Sequence, residues 1–167
     1  SPEFDEGLVR SLDTFDFPTE FESIKHIIKA ISSDLHYEDE QFRIEILLGD
    51  ARKSIPNIQE KIDIIYQDAF SPAHNPLLWT KEHFSDIRAI SKEDALLTTY
   101  STAAAIRLGL YENDFFIFVH RAELMRYSTV ASLKMLDLEF IYMELKKVRN
   151  TQARSMKDVD YLKDMHG

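Results

Sequence analysis

The sequence predicts an α/β fold built on a mostly parallel sheet. Three observations carry that reading. Short runs rich in β-branched and aromatic residues, 42–48, 61–67 and 95–100, are separated by segments with helix signals. Two further runs of this kind, 115–120 and 127–134, have no helix signal between them, so they predict an antiparallel edge. The first three runs each end in Gly, Asp, Ser or Thr, which turn a chain out of a sheet.

Taken in order, residues 6–12 read as a short helix and 13–18 as a loop. Thr19 followed three residues later by Glu22 makes a capping box. Phe21, Ile24, Ile27, Ile28 and Ile31 recur at helical spacing, so 20–32 predict an amphipathic helix. The run FRIEILL alternates as a strand over 42–48 and stops at Gly49-Asp50. A short helix follows over 51–58, broken near Pro56. The second strand covers 61–67. Thr80 caps a helix over 80–90, the third strand spans 95–100, and Ser101-Thr102 can cap a helix over 103–112. Residues 144–167 hold few large apolar side chains and read as a loose tail.

Composition limits the function classes. A chain of 167 residues fits one domain. It has no cysteine, which excludes disulfides and thiolate metal sites and fits a reducing cytoplasm. Nowhere does an apolar run reach the roughly 18 residues of a membrane span, and no secretory leader is visible. A net charge of −9 argues against nucleic-acid binding by the whole surface but leaves room for a local basic patch.

If the three central strands are parallel, Gly49-Asp50, Asp68-Ala69-Phe70 and Tyr100-Ser101-Thr102 share one rim, where open α/β sheets bind ligands. The loop DAFSPAHNPLLWT, 68–80, stands out. It joins a strand-ending carboxylate to two prolines, an Asn and the sole Trp, Trp79. An Asp after a strand is more often a cap or turn former, and Asp50 can cap the helix that follows it. The six histidines show no metal-ligand spacing, and neither a GxSxG elbow nor a P-loop occurs. Lys146, Lys147, Arg149, Arg154 and Lys157 form a basic stretch that reads first as a solvated tail and second as a phosphate contact.

LLGDARKSI (47–55), DAFSPAHNPLLWT (68–80) and TTYSTAAAIRLGLYENDF (98–115) resemble the methyltransferase domain of the MnmC type, and STVASLK (128–134) resembles the closing strand of its stand-alone members. The resemblance spans residues 1–134, with 135–167 as a C-terminal extension. It implies a Rossmann-like class I methyltransferase using S-adenosylmethionine. The implied acceptor is the 5-aminomethyl group of the tRNA wobble uridine, and tRNA is the implied partner. It implies Asp68 as the catalytic carboxylate, also close to the cofactor. Asp50 is implied near the adenine and Glu3 at the ribose hydroxyls, although residues 1–4 read alternatively as a cloning remnant. Phe70, Pro72, Asn75 and Trp79 are implied on the substrate side of the loop.

The resemblance also predicts a departure. The family's first strand and glycine-rich cofactor loop have no counterpart among Gly7, Gly49, Gly109 and Gly167. An unpaired strand edge, and a homodimer formed across it, are expected from that. Two alternatives stand beside the main reading: a methyltransferase of another amine, and a non-catalytic Rossmann-like binding module.

Overall fold

The computed structural model describes residue 14 and residues 18–121 and 126–162. It divides into two compact units, 1–49 and 50–167. Glu3 and the expected helix over 6–12 lie outside the described residues.

In the first unit, a 3-10 helix, Thr19–Ile24, leads into α1, Lys25–Asp34. The capping box does not form, because Thr19 lies within the first turn and Pro18 precedes it with no side-chain cap. Leu35 ends α1 in the left-handed region at φ 58. Two short strands follow, β1 (His36–Glu38) and β2 (Arg43–Glu45), and pair antiparallel. The strand expected over 42–48 is therefore cut to three residues and belongs to a hairpin. Asp39 is the cause visible in the structure. Its carboxylate accepts from the backbone N–H of Gln41 (2.8 Å) and Phe42 (2.9 Å), which folds the turn. Those two bonds hold the Asp39 carboxyl below its ordinary pKa.

The second unit begins with α2, Ala51–Ser54, and a 3-10 turn over Ile55–Asn57 where Pro56 stops the helix as expected. Then come β3 (Ile62–Tyr66), a 3-10 turn (Pro76–Trp79), α3 (Lys81–Ile90), β4 (Ser91–Thr99) and α4 (Ala104–Tyr111). Three strands follow, β5 (Phe116–His120), β6 (Ser128–Ser132) and β7 (Glu139–Phe140). The chain continues through α5 (Met143–Arg149) and α6 (Asp158–Tyr161).

The five strands are ordered β3-β4-β6-β5-β7. The mixed α/β class holds, but the parallel share is smaller than expected. Among hydrogen-bonded neighbours only β3 and β4, joined through α3, pair parallel, while β4–β6, β5–β6 and β5–β7 are antiparallel. A helical crossover returns a strand in the same direction, and short connections reverse it. Among the described residues β3 pairs on one side only.

The core forms where α3 and α4 cover the sheet. Phe84 and Ile87 from α3 and Ile106, Leu108 and Leu110 from α4 pack with Leu97, Ile117 and Ala131 from the strands. Burying each large apolar side chain contributes roughly 1.5–3 kcal/mol against leaving it in water.

The loose tail is corrected. Residues 155–158 are tied to the start of α3: the Lys81 N–H donates to the Met156 carbonyl (2.8 Å), the Thr80 hydroxyl donates to Asp158 (2.6 Å), and the Asp158 N–H donates to Glu82 (3.0 Å). Arg52 adds ion pairs to Asp158 (2.6 Å) and Asp86 (3.2 Å). Buried Ser155 donates to Glu112 (2.8 Å). These anchors are backbone and polar groups, so an apolar count along the sequence does not register them.

Candidate active site

The parallel pair β3–β4 fixes the site. Ile64, Ile65 and Tyr66 register with Leu96, Leu97 and Thr98, so the carboxyl ends of both strands open on one rim. The Gln67 N–H extends the ladder to the Thr98 carbonyl (2.9 Å), and the buried Gln67 side chain donates to the Leu78 carbonyl (2.7 Å). Asp68 is the first residue to leave the sheet.

The loop beyond it is held at several points. The Tyr100 hydroxyl, from the end of β4, donates to the Ala69 carbonyl (3.1 Å). The Trp79 indole N–H donates to the Phe70 carbonyl (2.7 Å). The Ser71 carbonyl accepts from the N–H groups of His74 (2.8 Å) and Asn75 (3.0 Å). Its hydroxyl lies 3.0 Å from His74 Nδ1. Asp68 is not among the positions so held. Its carboxylate is exposed and has no hydrogen bond or ion pair among the described residues.

Trp79 requires a correction. It is 0 % exposed and packs edge-on to Tyr100, with ring centroids 5.7 Å apart. The indole is a core anchor whose single donor is satisfied inside the loop, so it offers no face to a substrate base. The rim's accessible aromatics are Phe70, 76 % exposed, Tyr66, 78 % exposed, and Tyr100, 51 % exposed. Pro72 and Asn75 are half-buried in the same loop, and the Asn75 side chain makes no hydrogen bond among the described residues. Tyr100 stands on the rim as the sequence predicts, though with no role assigned to it there, and Gln67 is missing from the sequence-derived site. The signal for Tyr100 was its place as the first residue beyond the neighbouring strand.

Behind Tyr100 lies a buried polar relay. Arg107, 8 % exposed, donates through Nε to the Thr129 hydroxyl (2.9 Å), and that hydroxyl donates to the Ser101 carbonyl (2.6 Å). Burial pulls the Arg107 guanidinium below its ordinary pKa. Its charge meets no carboxylate among the described residues. The relay fixes the Ser101 carbonyl, one residue beyond Tyr100.

Asp50 sits where its cap role predicts. One carboxylate oxygen accepts from the Arg52 N–H (3.0 Å) at the start of α2, and the other has no partner among the described residues. Gly49 before it takes φ 127, a conformation that favours glycine. Two of the three expected strand ends are brought together by the β3–β4 register, and among the described residues no strand pairing links Gly49-Asp50 to them. Glu3 lies outside the described residues. No three acidic or histidine side chains gather as metal ligands among the described residues.

Comparison with known proteins gives the family of the chain. Residues 20–132 match a family described as S-adenosyl-L-methionine-dependent methyltransferase. The tRNA 5-methylaminomethyl-2-thiouridine biosynthesis bifunctional protein MnmC of Ralstonia nicotianae is 40% identical over 72 residues, which is 43% of this chain and 11% of that protein. Its counterpart in Aeromonas salmonicida is 32% identical over 80 residues, 46% of this chain and 12% of that protein. The crystal structure of MNMC2 from Aquifex aeolicus superposes with a TM-score of 0.73 at 31% identity, covering 86% of this chain and 48% of that one. The chain thus spans about an eighth of the bifunctional relatives and about half of the solved structure.

Proposed function

The chain belongs to the S-adenosyl-L-methionine-dependent methyltransferase family, and from that premise we propose that it methylates the 5-aminomethyl group of the tRNA wobble uridine. The observation that carries the reading is Asp68. It is a free, exposed carboxylate at the end of the parallel pair β3–β4, in a loop whose neighbouring positions are held by Tyr100 and Trp79. The relatives, named for 5-methylaminomethyl-2-thiouridine biosynthesis in tRNA, supply the acceptor.

Asp50 fits the adenine end of the cofactor, since it keeps one carboxylate oxygen free while the other caps α2. When bound, S-adenosylmethionine supplies an electrophilic methyl group. The chain's own residues do the rest. A primary alkylamine is mostly protonated at neutral pH and then has no lone pair to offer. Asp68 accepts an N–H of the amine and aims its lone pair, so positioning supplies most of the acceleration. Asp68 would relay the ammonium proton to water so that the lone pair is free, and would take the surplus N–H proton as the methyl carbon moves to nitrogen, the sulfonium sulfur keeping the electron pair of the broken C–S bond. Phe70 and Tyr100 offer the faces against which a base turned out of the anticodon loop stacks. Pro72 stiffens that loop, and the Asn75 amide is available to the base edge. A cytoplasmic location goes with this substrate.

The test is acceptor choice by the full-length protein. Labelled methyl is expected in tRNA bearing 5-aminomethyl wobble uridine and absent from tRNA lacking the aminomethyl group. Equal labelling of both, or labelling of small amines alone, would overturn the assignment.

A further inference from the structure

The rim extends past Tyr100. Thr99 registers with Thr129 and His120 with Ser128, so the end of β5 and the start of β6 open on the same side as Asp68. Two exposed arginines flank that point, Arg121 and Arg126. The Arg121 guanidinium lies 5.1 Å over the ring of half-exposed Tyr127. Residues 120–127 hold two arginines and a histidine against one acid, Glu123, in a chain of net charge −9. From β3 to β5 the sheet takes three strand steps, about 14 Å. That is the length of roughly four stacked nucleotides.

Resting on the tRNA reading above, we infer that Arg121, Arg126 and Tyr127 bind the RNA backbone of the substrate a few nucleotides away from the wobble position. The arginines contact phosphates and Tyr127 offers a stacking face. An acidic protein must gather its cations locally to hold a polyanion, and this cluster stands on the same rim as the free carboxylate. Tyr127 fixes the Arg121 guanidinium by cation–π contact, which lowers the ordering cost of a phosphate contact. By the register, the patch sits at the far end of the rim, away from the reacting amine.

The experiment measures tRNA affinity of the full-length protein against salt. Arg121→Gln/Arg126→Gln is expected to weaken binding about tenfold or more at low salt and to reduce the salt slope by about 2. The KM for tRNA should rise with kcat kept, and S-adenosylmethionine binding should be unchanged, which controls for folding. Arg121→Lys/Arg126→Lys should restore most of the affinity. Lys92→Gln/Lys134→Gln, the same charge change at the opposite end of the sheet, should have little effect. If the wild type binds tRNA and the arginine pair changes neither affinity nor slope, the patch is overturned while the substrate reading stands. Absence of tRNA binding by the wild type overturns both.

Discussion

Asp68 and Trp79 lie eleven residues apart in one loop, and only one of them was legible. A carboxylate leaving a strand of an α/β sheet has few places to go, so its position at the rim followed from the pattern. Whether a Trp in the same loop faces solvent or core is a packing outcome. Here the Phe70 carbonyl meets the indole N–H, and the ring closes the core. His83 shows the same limit. It lies at helical spacing in α3, yet it is buried, its Nδ1 has no partner among the described residues, and burial, with Arg52 nearby, lowers its pKa to about 4. Its folded pKa lies below the ordinary 6.5, so the unfolded chain binds the extra proton between those values. Stability is then fully present above pH 6.5 and falls as pH drops toward 4, by an amount of order 3 kcal/mol. Thermal melts of His83→Leu are expected to show a flatter acid limb across that window. An identical pH profile would remove His83 as the cause.

Element type was readable where a local cap or breaker acts. Thr80 caps α3 and Pro56 ends the helix at α2, both as the sequence predicts. Errors arose at two local signals, the Thr19 cap and the Asp39 turn, and where long-range partners decide. The Asp39 turn draws 43–45 into a hairpin, and the tail folds because Asp158 finds Thr80 and Arg52, 78 and 106 residues away in sequence. Thr80 therefore serves two elements, as cap of α3 and as donor to Asp158. Thr80→Ala is expected to cost about 1–3 kcal/mol, a lost cap plus a lost bond to a charged group. It should also speed proteolysis after Arg154 and Lys157. A melting temperature and cleavage rate equal to wild type would show that the tail is held without it.

Across the whole molecule, the order β3-β4-β6-β5-β7 makes one continuous rim from Asp68 through Tyr100 to Tyr127. The alternation of strand and helix signals gave the α/β class and the parallel pair β3–β4. Insertion of β6 between β4 and β5 was not legible, because pairing order depends on packing between distant segments. The central claim is that Asp68 serves the methyl transfer. The direct measurement is the single-turnover rate of labelled methyl transfer to aminomethyl-bearing tRNA by full-length wild type and Asp68→Asn. A loss of about 100-fold or more, with tRNA affinity and melting temperature unchanged, is predicted. A rate within a few-fold of wild type would contradict it.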